Sequence, residues 1–269
     1  MKILSKFLIV TAVFNLMILF GCSDKGGDDE KTYKKVEINQ NSIILCIGNS
    51  LTDGYGTKKE HPYVDRSKSY PTYLASKVNI SVENKGVSGI TASQAATTVK
   101  RGDYDDYLNR SAVIIIEIGA NDLFNQIENA LWGDDIDRGF VKDVEKSFEI
   151  ILDHIKEQSA NPQIYLAKFY NKTIAEQLLK GSAWGVSYNY MFVYDDYEAM
   201  FKRLAKKYKA DVIGNIWDGI WGNTEYMFDE YNDGLDDYDV HPNAQGYEIM
   251  ADNYFNSMKG FLEYNDLTK

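Results

Sequence analysis

The sequence predicts an α/β domain of three layers, α/β/α, with helices on both faces of a doubly wound sheet of about five parallel strands. Three observations carry that expectation. Ser42 to Ile47 and Ala112 to Ile118 are continuous apolar runs rather than alternating ones, as strands covered on both faces require. Between such runs, apolar residues recur at helical spacing, so strands and helices alternate as in βαβ units. Polar, glycine-bearing turns follow the first three runs, and in open parallel sheets ligands bind beyond those strand ends.

The first strand, Ser42 to Ile47, breaks into Gly48-Asn49-Ser50 and runs on through Leu51-Thr52-Asp53-Gly54. A two-residue hairpin would return at once as a second strand. This turn does not, which marks Ser50 as a side chain presented at a strand end. Ser69-Tyr70-Pro71 opens a helix carrying Tyr73, Leu74 and Val78. Ile80 to Asn84 is a short second strand ending at Lys85-Gly86, and Ala112 to Ile118 is the third, ending at Gly119. Val141, Val144, Phe148, Ile151, Leu152 and Ile155 trace one face of a long amphipathic helix. Gln163 to Phe169 is a fourth strand, Tyr194 to Tyr208 a helix carrying Met200, Phe201 and Leu204, and Asp211 to Gly214 a fifth strand. Ala244 to Leu262 forms the closing helix.

A chain of 269 residues with 44% hydrophobic and 26% charged residues suits one globular domain. Its net charge of −11 argues against a nucleic-acid face, which needs basic residues, and against an acidic polymer as substrate. At the start, Lys2 and Lys6 precede an apolar run from Phe7 to Phe20, shorter than the roughly 17–25 residues that span a bilayer. With Leu19-Phe20-Gly21-Cys22 after it, this segment resembles a bacterial lipoprotein signal. Residues 1–21 are therefore expected to be a signal peptide, Cys22 the lipidated first residue, 22–40 a flexible acidic tether and 41–269 the folded domain. The expected location is extracytoplasmic, on a Gram-negative outer membrane at its periplasmic or surface face, touching membrane only through the lipid.

Cys46, inside the first strand, reads as a small core residue. No disulfide, zinc or redox spacing is present, so neither metal nor cofactor is expected. The acidic stretch from Asp229 to Asp239 fails the EF-hand template at Tyr231 and lacks its closing Glu. Among three histidines, His61 lies in a polar loop and His154 on the long helix, as solvated or packed residues. His241, in Asp239-Val240-His241-Pro242-Asn243 just ahead of the last helix, is placed to take a proton from Ser50. A serine hydroxyl needs such a base before it attacks.

"GNSLTDG" from Gly48, "VSGIT" from Val87, "IGANDLF" from Ile118 and "DVHPNAQGY" from Asp239 resemble, in order and spacing, the four sequence blocks of the SGNH (GDSL-type) hydrolases. The resemblance covers roughly Ile43 to Tyr254. It implies the flavodoxin-like SGNH hydrolase fold, with Ser50 as nucleophile and His241 as general base and then acid. It also implies an oxyanion hole from the Ser50 N–H, the Gly89 N–H and the Asn121 side-chain amide. Those residue types suit an oxyanion hole, because glycine lets backbone approach a carbonyl closely and an amide donates without competing as a base.

Two positions depart from the family pattern. Asn49 stands where the family has Asp, and Tyr238 stands three residues before the histidine, where the triad acid belongs. Asp239 is the first candidate to orient the His241 Nδ1, Asp237 the second, and a serine–histidine dyad using a backbone carbonyl the third. Trp217 and Trp221 lead an aromatic stretch before His241 and are candidates for a sugar-stacking platform, against simple packing of a long loop. The resulting expectation is an extracytoplasmic serine esterase with acyl-enzyme chemistry, deacetylating a glycan or small ester. A lipase, lysophospholipase or thioesterase on the same site is the alternative, because fold and triad fix acyl transfer but not the acyl donor. From a different class comes an inactive glycan-binding surface lipoprotein, favoured by Tyr238 but opposed by Ser50, Gly89, Asn121 and His241 together.

Overall fold

The structure, a computed structural model, describes residues 32–131, 136–137, 139–158, 161–183, 186–229 and 240–269. Strands β1 (Ile43–Gly48), β2 (Ser81–Gly86), β3 (Ser111–Glu117) and β4 (Gln163–Ala167) are parallel, and a separate antiparallel pair follows as β5 (Lys180–Ala183) and β6 (Val186–Asn189). Strand β7 (Asp211–Ile213) completes the main sheet in the order β2-β1-β3-β4-β7. The doubly wound parallel sheet expected from the sequence is thus present, with the small β5–β6 hairpin added.

Composition explains the order. Every residue of β1 and β3 is buried, as their unbroken apolar runs demand, and these two strands sit centrally. The edges fall to β2, with Glu83, Asn84 and Lys85, and to the three-residue β7. Short or polar edge strands are poor templates for pairing with another chain.

The helices are α1 (Ser50–Asp53), α2 (Tyr70–Ala75), α3 (Ala92–Lys100), α4 (Asp105–Leu108), α5 (Ala120–Leu131), α6 (Phe140–Gln158), α7 (Lys172–Leu179), α8 (Met191–Tyr208) and α9 (Ala244–Tyr264). Helix α6 buries the predicted stripe Val141, Val144, Phe148, Ile151, Leu152 and Ile155 and lies between α3 and α8. Phe148 meets Phe201 of α8 edge to face at 5.7 Å. Helix α9 packs on α2, where Tyr254 stacks on Tyr70 at 4.3 Å. Periodicity reading places no helix over residues 92–100, because the buried face of α3 is mostly alanine: Ala92, Ala95, Ala96 and Val99. Its start is set by a capping box between Thr91 and Gln94.

The folded unit begins earlier than the sequence suggests. It spans Tyr33–Lys269, so the end of the segment assigned to a tether is docked. The Val36 N–H donates to Asn265 Oδ1 at 3.0 Å, the Lys34 ammonium to Pro162 O at 2.5 Å, and Tyr33 meets Phe261 edge to face. Cys22 and residues 1–21 lie outside the described residues. Among the described residues, no helix is long and apolar enough to cross a membrane.

Candidate active site

The ends of β1, β2 and β3 deliver the conspicuous turns to one edge of the sheet. Position 48, the last of β1, takes glycine because a Cβ there would overlap the Thr52 side chain and crowd Glu117 O. Asn49 caps the short helix α1: its Oδ1 accepts from Leu51 N–H at 2.9 Å while its amide donates to Glu117 Oε1 at 3.0 Å. Ser50 opens that helix, and the Ser50 Oγ lies 2.7 Å from His241 Nε2. Residues 191 apart in sequence thus meet at hydrogen-bond distance, as a general base and its nucleophile must.

His241 is held from three sides. Its carbonyl accepts from Phe228 N–H at 2.9 Å, and Asn243 N–H donates to Tyr226 O at 2.9 Å, which ties the histidine loop to residues 226–228. Asn243 also caps α9, accepting from the N–H groups of Gln245 and Gly246. The Tyr55 ring lies 4.6 Å from the imidazole, and Tyr247 of α9 donates to Tyr55 O at 2.8 Å. Asp239 and Asp237, the candidates for the third triad member, lie outside the described residues, as do Tyr238 and Tyr231.

Asn121 sits at the start of α5, and its amide donates to Ile90 O at 2.8 Å, fixing its orientation. The next residue, Asp122, accepts from Ala92 N–H at 2.8 Å, and burial raises its carboxyl above the ordinary range. These two side chains pin the loop after β2. Gly89 lies on that loop with φ +79° and nothing near a would-be Cβ, so backbone conformation rather than space calls for glycine.

A cavity of about 60 Å³ opens beside the serine, and Ser50, Asn121 and His241 line it together with Phe124, Phe169, Ile174, Trp217 and Trp221. Gly89 is not part of its lining. Trp217 is 5% exposed and donates to Phe169 O at 2.5 Å, so it offers no open face for a sugar and is instead a fixed wall. Trp221 stands edge-on to it at 5.3 Å and is half-buried. Phe124, Phe169 and Ile174 escaped sequence reading; their signal is only that they follow the ends of β3 and β4.

Beneath the turn lies Glu117, fully buried at the end of β3. Desolvation pushes its carboxyl up to about 8, against the pull of hydrogen bonds from Asn49 and Thr52. Cys46 is buried and desolvation raises its thiol to about 12, which leaves it inert as a nucleophile. His61 is exposed, and His154 Nε2 pairs with Asp105 at 2.7 Å, away from the serine. Among the described residues no group of His, Cys, Asp and Glu is arranged to hold a metal ion.

Residues 46–249 match the sequence profile of the GDSL-like Lipase/Acylhydrolase family. The chain is 21% identical over 255 residues to the uncharacterized protein YpmR of Bacillus subtilis (strain 168), spanning 91% of this chain and 92% of that protein. It is 24% identical over 254 residues to a multidomain esterase of Ruminococcus flavefaciens, covering 83% of this chain but only 29% of that longer protein. Its fold is similar to that of the psychrotrophic esterase EstA from Pseudoalteromonas sp., in a structure inhibited by monoethylphosphonate, with a TM-score of 0.55 and 19% identity. That alignment covers 82% of this chain and 99% of the esterase. The family match extends over most of the folded unit and takes in both Ser50 and His241, so the chain belongs to the GDSL-like lipase/acylhydrolase family and is a carboxylic-ester hydrolase.

Proposed function

We propose that this chain is an extracytoplasmic serine esterase that removes short acyl groups, acetyl foremost, from a glycan or small ester. The observation that carries the chemistry is the 2.7 Å contact between Ser50 Oγ and His241 Nε2 at the sheet edge. As Ser50 Oγ attacks the ester carbonyl, its proton passes to His241 Nε2. The carbonyl oxygen becomes an oxyanion, for which the Ser50 and Gly89 N–H groups and the Asn121 amide are the proposed donors. Collapse breaks the C–O bond, and the alcohol leaves with the proton from His241. Water then attacks the acyl-enzyme with His241 again as base, releasing the acid and restoring Ser50. Asp239 is the proposed acceptor at His241 Nδ1, with Asp237 next.

Cavity size supports the short acyl group. About 60 Å³ is well under half of the ~150 Å³ that holds a benzene ring, which favours the smallest acyl groups. Lipidation at Cys22 is the proposed anchor, which places substrate outside the cytoplasm. The test is ester hydrolysis across p-nitrophenyl chain lengths and acetylated glycans, with fluorophosphonate labelling. Wild type should be labelled and prefer acetate to butyrate esters. Ser50→Ala should lose labelling and at least about a thousandfold in rate. Preference for octanoate or lysophospholipid would favour the lipase reading. An unlabelled wild type would favour the inactive glycan-binding one.

A further inference from the structure

Asp53 occupies a position that the acyl-transfer scheme does not use. It closes α1, the helix that Ser50 opens, and is almost wholly buried although it carries a carboxylate. Its Oδ2 accepts from Ser88 Oγ at 2.7 Å and from Ser88 N–H at 3.3 Å. Its Oδ1 accepts from Arg66 Nε at 2.8 Å, and the same guanidinium donates through Nη2 to Gly86 O at 3.0 Å. Both ends of the β2 exit are thereby fastened to one carboxylate. Gly86 has no room for a side chain, since a Cβ would overlap Asp53 N, so strand end and helix touch backbone to backbone. Ser88 itself is exposed, and the next residue is Gly89.

We propose that Asp53, held by Arg66, is a positioning residue that sets the Gly89 backbone against Ser50 by gripping Ser88. The proposal rests on the oxyanion role given to Gly89 above and adds what fixes its place. The loop is pinned at Val87 by Gly48 O and at Ile90 by Asn121. Between those pins, the described contacts that hold it to the nucleophile's own helix run through Ser88. Gly89 lies in the left-handed region, and nothing packs within 4 Å of a Cβ built there. A donor that must meet an oxyanion within a few tenths of an ångström therefore depends on its neighbour's hydrogen bonds. Misplacement on the scale of 1 Å costs up to about a hundredfold in rate, and loss of a donor about 10²–10³. Removing one of the two Ser88 contacts should cost less than either.

The experiment is a comparison of wild type, Ser88→Ala, Ser88→Thr, Asp53→Ala and the double Asp53→Ala/Ser88→Ala. The readouts are kcat, KM, affinity for a short alkylboronic acid and thermal midpoint. The boronate forms a tetrahedral anionic adduct on Ser50, so its affinity reports the oxyanion donors rather than ground-state binding. Ser88→Ala should lower kcat and boronate affinity together by about tenfold, with KM and the midpoint nearly unchanged. Ser88→Thr, which keeps the hydroxyl, should restore both. The double variant should be no worse than Asp53→Ala alone, since both changes break one link. An active wild type whose Ser88→Ala variant keeps kcat and boronate affinity would overturn the clamp while leaving the esterase reading intact. Additive losses in the double variant would do the same. A wild type that neither hydrolyses esters nor binds boronate would overturn both.

Discussion

Ser50 is an ordinary hydroxyl until its surroundings are counted. His241 Nε2 at 2.7 Å is the proposed base, and in that role the imidazole in turn needs an acceptor at Nδ1. Asp239→Asn is expected to lower kcat by orders of magnitude with little change in KM, because an amide cannot stabilise the imidazolium formed during attack. Asp237→Asn should cost little. The two steady-state profiles decide the assignment, and the reverse order would move the role to Asp237. Trp217 sets a second expectation at this scale. Its indole is fixed by Phe169 O and lines the small cavity, so Trp217→Ala should enlarge the pocket. Hydrolysis of hexanoate and octanoate esters should rise relative to acetate by about tenfold or more, since each buried methylene is worth roughly 0.8 kcal/mol. The price is stability, about 3–5 kcal/mol for a large buried aromatic, so the measurement belongs at low temperature with the folded fraction checked by circular dichroism.

The elements matter through their ends. Strand β3 ends in Glu117, whose carboxyl burial pushes up to about 8, while in the unfolded chain it titrates near 4.3. Below the lower value both states hold the proton and its contribution is complete. Between the two, the unfolded chain releases the proton and the folded one keeps it, so stability falls as pH rises toward about 8. Other acids titrate as well, so the informative quantity is the difference between wild type and Glu117→Gln. The Gln variant should show a flatter fall in thermal midpoint between pH 4.5 and 8, and identical slopes would remove Glu117 as the cause. Such a pairing was not legible in the sequence, where Glu117 appears only as a lone charge in an apolar run. The central strands were legible because burial on both faces demands unbroken Val and Ile. Helix α3 was not, since alanines bury a face without raising hydropathy. Helix α5 starts at Ala120, directly within the turn that carries Asn121, where Gly-Ala-Asn-Asp reads as loop chemistry. The site was half legible. Ser50 and His241 stand out at strand and helix boundaries, but the cavity is lined by five separate segments, 49–51, 120–124, 169–174, 217–221 and 240–241, whose meeting depends on the whole sheet.

At the scale of the molecule, the folded unit starts at Tyr33, so Cys22, the proposed site of the lipid anchor, precedes it in the chain. Tyr33, Lys34 and Val36 contact Phe261, Pro162 and Asn265, none of which touches Ser50 or His241 in the contacts described above. A chain starting at residue 33 should therefore match one starting at residue 23 in both activity and thermal midpoint. One starting at residue 41 should lose about 2 kcal/mol, from the buried part of two apolar side chains, and keep its kcat. Anchoring is a separate matter. If Cys22 carries the lipid, Cys22→Ser leaves the esterase domain unchanged but removes the acyl chains, each buried methylene of which contributes about 0.8 kcal/mol to membrane affinity. With a net charge of −11 the chain has no basic excess to hold it to an anionic lipid surface. The variant should accumulate as soluble or uncleaved protein with wild-type kcat toward a soluble acetate ester, while wild type sediments with membranes and is released by detergent but not by high salt. Sedimentation of the Cys22→Ser variant with membranes to the wild-type extent, after cleavage, would rule out the lipid as the anchor.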